Sequence, residues 1–424
     1  MRRFVLALLA AGLAFTSQNV FADEKKELED LRLRVGDLEK RIKDTEVVDE
    51  LGHKFHPIHS IYGLKIGGGV TITAQGVSNT NTDTKGALAL SADLALESPV
   101  GENGRAVVVF DIERGAGPRN LPSLFAGPNG SPTGPNADLE SFDNDSVHLT
   151  QIYYEHEIFK GLSVSVGQLD PTGYFDANDF ANNERAQFLA NIFTNNPAIE
   201  FGGSSDFYSP GIRATYFPAE FMDITLAAFE GNGDFTDSFD KPFLMAELNF
   251  NLKPFDKDGH YRFYTWLRQG RDDVSATANP NDADLANADN SGFGVSFDQF
   301  VTDTVGVWFR AGIQKETVAQ FDKTVSAGVH LLGDAFGRPS DRVGFGYGAT
   351  FIGQDYEDFL TSSDAGFSSG VEHYTELYYN LAISDATDST GFHISPDIQY
   401  VANPGGDENA EDFFVYGMRL QAFF

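Results

Sequence analysis

Residues 304–315 read TVGVWFRAGIQK, and their side chains alternate between two faces of an extended chain. One face carries Val305, Val307, Phe309, Ala311 and Ile313, and the other carries Gly306, Trp308, Arg310, Gly312 and Gln314. A period of two predicts a β-strand with one apolar face. Residues 342–353, RVGFGYGATFIG, repeat the pattern. Such a face packs on the core of a soluble sandwich or faces lipid in an outer-membrane barrel.

The same alternation recurs from Leu64 onward and predicts sixteen strands. We place them at 64–77, 86–97, 104–114, 146–158, 162–169, 208–217, 221–230, 242–252, 260–270, 291–300, 304–315, 323–332, 342–353, 371–383, 391–401 and 412–424. Long polar connectors at 115–145, 170–207, 271–290, 354–370 and 402–411 follow odd-numbered strands, whereas short ones at 159–161, 218–220 and 301–303 follow even-numbered strands. This asymmetry is typical of transmembrane barrels. The predicted fold is therefore all-β, a single transmembrane antiparallel β-barrel of about 16 strands.

The composition excludes several classes of function. The chain has 424 residues, 62 Asp and Glu against 30 Lys and Arg, a formal net charge of −32 and no cysteine. Such a charge repels phosphate backbones, so we expect no nucleic-acid partner. Without cysteine there is no disulfide framework, no thiolate metal site and no cysteine nucleophile. The 38 Phe, 15 Tyr and 43 Gly suit β structure.

Residues 1–22 have the pattern of a signal peptide. Arg2 and Arg3 precede an apolar run from Phe4 to Phe15, and Val20-Phe21-Ala22 ends in a small residue before Asp23. The apolar run is too short to span a membrane as a helix. We therefore expect the chain to be exported.

Residues 23–46 predict a short coiled-coil helix in the periplasm. Leu28, Val35 and Ile42 fall at one heptad position, and Leu31 and Leu38 at another. The alternative is a single amphipathic helix that packs on its own domain. Residues 47–62 are predicted to be a linker. It contains three histidines, each three positions after the one before, and Pro57 lies between the second and the third. Because proline breaks a helix that would align the three histidines, we predict no metal site in this linker. The barrel domain is predicted to follow at 63–424.

Several motifs in residues 160–424 resemble one known family. Residues 395–406 read SPDIQYVANPGG, 417–420 GMRL, 337–342 GRPSDR, 376–379 ELYY and 167–170 GQLD. They closely resemble carbohydrate-selective porins of the OprB type. The resemblance implies a sixteen-stranded, trimeric channel for sugars and similar small solutes in the outer membrane of a Gram-negative bacterium. Some barrels of this wider group are linked to siderophore or iron uptake.

Strand parity selects candidate pore-lining residues. The side chains predicted to point inward are Arg105, Asp111, Glu113, Arg213, Arg262, Trp266, Arg268, Trp308, Arg310, Tyr378, Asp397, Gln399 and Arg419. A charged side chain on the lipid face costs ~2–4 kcal/mol at the midplane, which favours the inward assignment. Each arginine taken singly is explained by a salt bridge in the wall, but several together indicate a lining. We expect Trp266, Trp308 and Tyr378 to stack on sugar rings while the charged groups bond their hydroxyls.

The connector 170–207 is the predicted constriction. With 38 residues and no strand pattern it is too long for a surface turn. Its apolar residues, Phe175 to Phe193, need a wall to bury against, and folding back into the barrel provides one. Asp176, Asp179 and Glu184 would then face inward arginines. The alternative is a lid that lies over the rim or against a neighbouring subunit.

Three functions remain open at this point. A passive porin for sugars and small hydrophilic solutes is the first prediction, a siderophore or iron-uptake channel the second, and a tether between membrane and cell wall the third. No histidine of the barrel lies in a recognisable nucleophile motif, so we predict no enzyme and no cofactor. The predicted partners are small solutes, outer-membrane lipid and two further copies of the chain. The excess acid in the loops predicts a modest cation preference at low salt.

Overall fold

The computed structural model describes residues 47–48, 54–55, 63–78, 86–115, 117–118, 121–125, 127–129, 146–201, 208–231, 235, 239–271, 277–384 and 391–424. The predicted signal peptide and the predicted coiled-coil helix at 23–46 lie outside these residues. In the predicted linker, Val47–Val48 pairs antiparallel with Lys54–Phe55.

Sixteen strands form one closed antiparallel barrel within the described part of the chain. They are β1 (Lys65–Val77), β2 (Gly86–Val100), β3 (Gly104–Gly115), β4 (Ser146–Phe159), β5 (Leu162–Leu169), β6 (Ser209–Ala219), β7 (Met222–Glu230), β8 (Pro242–Leu252), β9 (Gly259–Arg268), β10 (Asn290–Phe300), β11 (Val305–Gln314), β12 (Phe321–Leu332), β13 (Arg342–Ile352), β14 (Val371–Ala382), β15 (Gly391–Ala402) and β16 (Phe413–Phe423). Each strand pairs with its neighbours in sequence, and β16 pairs with β1 from Val415↔Val77 to Phe423↔Gly69. Closure leaves no edge strand unpaired in lipid.

The prediction of a sixteen-stranded barrel is confirmed. Every predicted strand is present, and its ends lie within three residues of the predicted ones. The turns after β2 and β4 are tight, and Gly101 and Gly161 provide the positive φ values that such turns need, +69° and +91°. The connectors after β5 and β13 are long, and they leave from the opposite rim.

The two faces of each strand differ as the alternation predicts. On β11, Phe309 and Ile313 are 37% and 53% exposed on the outside, whereas Trp308 and Arg310 are 3% and 1% exposed on the inside. The apolar face therefore points outward to lipid, and the buried core lies inside the barrel. None of the described helices is both long enough and apolar enough to cross a membrane.

Short helices lie in the connectors. α1 (Pro171–Tyr174) and α2 (Asn191–Thr194) follow β5, and α3 (Gln354–Ser363) follows β13. Single 3-10 turns occupy Pro254–Asp256, Ala283–Asn287, Gly333–Phe336 and Pro404–Gly406. The chain after β5 enters α1 through Asp170, whose carboxylate accepts a hydrogen bond from the Thr172 amide at 2.9 Å. This cap turns the chain immediately at the end of the strand.

Candidate channel site

Residues 170–201, called the lumen segment here, lie inside the barrel. They contact inward-facing side chains of β2, β8, β9, β10, β11, β12, β14 and β16. A segment that contacts strands on all sides of the barrel must lie inside the barrel. Of the two arrangements open from the sequence, the fold-back is observed and the lid over the rim is not.

Asp176 is the central contact of the lumen segment. Its side chain is fully buried, and its Oδ2 lies 3.0 Å from Nε of Arg310 on β11. The same carboxylate accepts hydrogen bonds from the Asn196 amide at 2.6 Å and from the Tyr264 hydroxyl at 2.8 Å. The amide of Asp176 donates to Glu247 on β8 at 2.8 Å. A buried charge is tolerated because it is paired and its lone pairs are filled.

Arg310 binds the backbone of the lumen segment. Its guanidinium donates to the carbonyl oxygens of Phe193 at 2.7 Å and Asp176 at 2.8 Å, and also to that of Ala181. A fourth bond goes to Oδ1 of Asn182 at 2.9 Å. One wall arginine therefore holds two separate stretches of the segment together.

Two further wall residues hold the segment by its backbone. Glu376 on β14 accepts hydrogen bonds from the amides of Leu189 at 2.5 Å and Ala190 at 2.9 Å. Arg419 on β16 donates to the carbonyl oxygens of Glu184 at 2.7 Å and Gln187 at 2.6 Å. Charge-assisted bonds of this kind are about twice as strong as neutral ones, so they fix the path of the segment across the lumen.

Apolar residues of the segment pack on inward glycines of the wall. A Cβ added at Gly306 would lie 2.4 Å from the Phe180 ring, and one at Gly348 would lie 2.7 Å from Ile192. Phe188 meets Trp308 edge-on at 5.4 Å between ring centroids and Tyr378 at 4.9 Å. The glycines thus make a flat surface on which the segment is seated, and they explain why glycine alternates with Phe and Tyr along β13.

A cavity of about 1050 Å³ lies on the short-turn side of the segment. Phe217, Phe300 and Leu332 line it, and they stand at the ends of β6, β10 and β12 beside the turns. Its charged lining residues are Asp93, Arg105, Glu155, Asp179, Arg185, Arg213 and Arg342. The cavity is therefore a vestibule between the segment and the rim with short turns.

Two arginines in the vestibule share one carboxylate. Nε of Arg105 lies 2.8 Å from Oε1 of Glu155, and Nη2 of Arg213 lies 2.7 Å from Oε2. Arg105 also reaches Glu97 at 3.2 Å, and the Arg213 guanidinium stacks 3.5 Å above the Tyr174 ring. This arrangement spreads polar donors over the wall while keeping their charge largely balanced.

Arg185 of the lumen segment faces the vestibule from the opposite side. It forms an ion pair with Asp93 on β2, and its Nη2 donates to Oγ of Ser91 at 3.2 Å. Burial alone would lower the pKa of Arg185, but the carboxylates of Asp93, Glu184 and Asp111 raise it above its ordinary value. Arg185 is therefore a fixed positive charge on the vestibule surface.

Comparison with known proteins assigns the family. The model of the carbohydrate-selective porin, OprB family, matches residues 65–424. The chain belongs to this porin family. A curated relative, an uncharacterized protein of Aquifex aeolicus (strain VF5), is 28% identical over 292 residues, which are 68% of this chain and 74% of that protein.

Solved porin structures share the fold of this porin. A high-pH structure of Pseudomonas putida OprB has a TM-score of 0.65 at 16% identity, over 86% of this chain and 94% of that one. The outer membrane channel DcaP of Acinetobacter baumannii has a TM-score of 0.50 at 13% identity, over 87% and 99% of the two chains. Family and fold together make this porin an outer-membrane channel for small solutes.

Three of the residues predicted from the sequence lie on the vestibule surface: Arg105, Asp179 and Arg213. The Asp176 carboxylate meets Arg310 of the wall, as predicted. The Glu184 carboxylate instead lies 3.8 Å from Arg185 of the segment itself, and only the backbone carbonyl of Glu184 meets Arg419. Asp179 instead lies 3.5 Å from His260. Asp111 is buried and accepts a hydrogen bond from Tyr208 at 3.1 Å, and Glu113 is half-buried on the same strand.

The structure differs from the prediction for most of the other residues. Trp266, Trp308 and Tyr378 were expected to meet sugar rings, but they are 2%, 3% and 0% exposed because the lumen segment covers them. For the same reason Arg262, Arg268, Arg310 and Arg419 are buried. Gln399 donates to the carbonyl oxygen of Pro128 at 2.9 Å and so holds an outer connector, and it also donates to Oδ1 of Asp397 at 3.1 Å. These inward side chains therefore contact other parts of the protein.

Among the vestibule residues that the prediction missed are the titratable ones, Asp93, Glu155, Arg185, His330, Arg342 and His393. Asp93 and Glu155 have inward parity on β2 and β4, so the period that selected Arg105 also selects them. Arg185 carries no such signal, because the lumen segment has no regular period.

Proposed function

We propose that this porin is a passive channel for neutral sugars and similar small hydrophilic solutes, and that the vestibule residues Arg105, Glu155, Arg185 and Arg213 contact the solute. The observation that carries the proposal is the shared carboxylate between Arg105 and Arg213. Glu155 fixes both guanidinium groups on the vestibule wall, and Arg213 also donates to Oγ of Ser165 at 3.0 Å. The wall therefore offers hydroxyl groups, carboxylate oxygens and guanidinium groups side by side, which is the mixture of donors and acceptors that a sugar's hydroxyls can exchange with, whereas a free anion would have to compete with the carboxylate already in place.

Aromatic faces in the vestibule support the same class of solute. Phe217 is half exposed at the end of β6, and Phe300 and Phe423 also line the cavity. The C–H face of a sugar ring is apolar and packs on aromatic rings, while its hydroxyls point sideways to polar groups. We propose that these phenylalanines take the role that the sequence had given to Trp266, Trp308 and Tyr378.

The remaining assignments are also proposals. Residues 1–22 would be removed on export, residues 23–46 would form a periplasmic coiled coil, and three copies would associate in the outer membrane. The heptad positions of Leu31 and Leu38 support association, because fewer than three heptads are marginal for an isolated helix.

We expect the channel to prefer cations at low salt and to be partly blocked by neutral sugars. The outer connectors after β13 and β15 are acidic, with Asp355, Glu357 and Asp358 on α3, and no Lys or Arg occurs between Val343 and Met418. The field of such a rim reaches ~8 Å into solution at physiological salt and only ~3 Å at ~1 M, so it attracts cations mainly at low salt. The reversal potential in a salt gradient should therefore indicate cation preference at low salt and approach zero near ~1 M.

The same planar bilayers test the sugar. Adding a monosaccharide to one side should reduce the current, and a sugar acid of the same ring size should reduce it less. Anion preference at low salt would contradict the role given to the acidic rim. An unchanged current at millimolar monosaccharide would contradict the sugar channel.

A further inference from the structure

A histidine and two aspartates meet at the edge of the vestibule. Nδ1 of His260 lies 2.7 Å from Oδ1 of Asp298 and 3.5 Å from Oδ2 of Asp179. One possible ligand atom from each residue lies within 4.8 Å of the other two. His260 and Asp298 pair across β9 and β10, whereas Asp179 belongs to the lumen segment. We call these three residues the aspartate–histidine cluster, and it is the one such group of potential metal ligands within the described part of the chain.

The wall half of the cluster is held in place by an arginine. Nη1 of Arg262 lies 2.6 Å from Oδ2 of Asp298, so it occupies one carboxylate oxygen and leaves Oδ1 directed at His260. The Asp298 side chain is only 2% exposed, which restricts its movement further. Metal ligands are commonly oriented by a second layer of hydrogen-bonding groups, and Arg262 is placed to do this for Asp298.

The lumen segment presents the third carboxylate from a fixed backbone. The Asp179 amide donates to Oδ2 of Asp298 at 3.4 Å, and the Asp179 carbonyl accepts from Nε2 of Gln187 at 2.7 Å. Nδ2 of the preceding residue, Asn178, donates to the Phe297 carbonyl at 3.1 Å. The Asp179 carboxylate itself is 53% exposed and lines the vestibule, so an ion in the vestibule can reach it.

The charges of the cluster favour a bound cation. Two carboxylates lie beside one guanidinium, and that guanidinium pairs with Asp298. Within the described ranges, the basic group within ion-pair distance of Asp179 is the His260 imidazole, 24% exposed, and not a lysine or arginine. A cation between the three side chains would pair with the Asp179 carboxylate, and the neutral imidazole would supply the Nδ1 lone pair while its proton stays on Nε2.

We propose that the aspartate–histidine cluster binds a divalent transition-metal ion such as Zn²⁺, and that the ion joins the lumen segment to β9 and β10. An imidazole nitrogen combined with carboxylate oxygens suits Zn²⁺, whereas Mg²⁺ prefers oxygen ligands alone. Zinc bonds of about 2.0–2.2 Å join ligands that lie up to roughly 4 Å apart, so a small rotation of the exposed Asp179 side chain completes the site. Water takes the remaining position on the vestibule side.

The test is a titration of the purified full-length porin, without an affinity tag, with Zn²⁺ by calorimetry in detergent. The predicted linker holds three further histidines, His53, His56 and His59, so the titration is repeated on a linker variant in which all three are replaced by glutamine. We expect one Zn²⁺ per chain to bind in the linker variant, and an equal concentration of Mg²⁺ not to displace it. Loss of all binding in the linker variant, or displacement by Mg²⁺, would overturn the site.

Single substitutions in the linker variant assign the ion to the cluster. His260→Gln and Asp179→Asn each remove one ligand and should weaken Zn²⁺ binding by about tenfold or more. His393→Gln is the matched control, because His393 also lines the vestibule but lies outside the cluster, and it should leave binding unchanged. Heat-modifiable mobility confirms that each variant is folded. Unchanged affinity in both cluster variants, or equal weakening in His393→Gln, would contradict the assignment.

Thermal unfolding tests whether the ion joins the segment to the wall. Zn²⁺ should raise the temperature at which the linker variant loses heat-modifiable mobility, and the same concentration should not do so in Asp179→Asn. An unchanged temperature with Zn²⁺ bound would contradict the bridge. If neither cluster variant folds, X-ray absorption at the zinc edge is measured on the linker variant. One imidazole nitrogen with oxygens at about 2.0–2.2 Å supports the cluster, and a shell of oxygens alone, or one with several imidazoles, overturns it.

Discussion

Arg310→Ala should destabilise the barrel by about 3–5 kcal/mol and raise its single-channel conductance, because it removes the main anchor of the lumen segment. Arg310 holds three backbone carbonyls and Asn182, and it neutralises the buried Asp176. Without the arginine, the Asp176 carboxylate is a buried charge whose ion-pair partner is gone. The segment should move away from β11 and leave a wider path. Thermal loss of heat-modifiable mobility measures the stability, and planar bilayers measure the conductance.

Two further variants isolate the cause. Arg310→Ala combined with Asp176→Asn removes both charges and keeps at position 176 a side chain that tolerates its positive φ of +60° and can still accept from the Asn196 amide, so it should recover part of the stability lost in Arg310→Ala but not the backbone anchor. Lys160→Ala removes an exposed basic residue of the turn after β4 and should change neither quantity. An Arg310→Ala protein with wild-type stability and conductance would contradict the anchoring role.

Glu155→Gln should shift the channel toward anion preference and weaken the block by neutral sugars. Glu155 is the carboxylate between Arg105 and Arg213, so its loss leaves two guanidinium groups without their shared counter-charge. Anions from solution would then occupy the place that a sugar hydroxyl would use. The reversal potential in a salt gradient and the sugar dependence of the current measure the two effects.

Glu157→Gln is the matched control for Glu155→Gln. Glu157 lies on the same strand, but it is exposed beside the turn, where its carboxylate accepts a hydrogen bond from the Gly161 amide. Its substitution should leave selectivity and sugar block close to those of the wild type. Equal shifts in both variants would indicate a general charge effect and contradict a specific role of Glu155.

The barrel could be predicted from the sequence because its causes are local. Alternation such as that of residues 304–315 indicates which face meets lipid. The connector lengths distinguish the rim with long loops from the rim with short turns. The inward side of Arg310 and Trp308 followed from the same period. The alternation along a strand does not show whether an inward side chain contacts water or another part of the protein.

The path of the lumen segment is the part that sequence reasoning could not supply. Its need for an apolar wall was visible in Phe175 to Phe193, but its seat depends on glycines of β11 and β13 that are far away in sequence. Most of its polar anchors bind backbone atoms, as Glu376 does at Leu189 and Ala190, and backbone atoms leave no pattern in a sequence. Trp266 and Tyr378 belong to the core because this segment covers them. Arg185 lines the vestibule because the segment carries it into the lumen.

Liposome swelling with purified protein tests most directly whether the barrel is a water-filled channel whose bore is set by the lumen segment. Liposomes are placed in iso-osmotic solutions of a monosaccharide, a disaccharide and a trisaccharide, and the initial swelling rate is recorded for each. We expect rapid swelling with the monosaccharide and a steep fall with increasing size, because the solute must pass between the segment and the vestibule wall. Swelling no faster than that of protein-free liposomes would contradict the channel, and rates independent of sugar size would contradict the constriction.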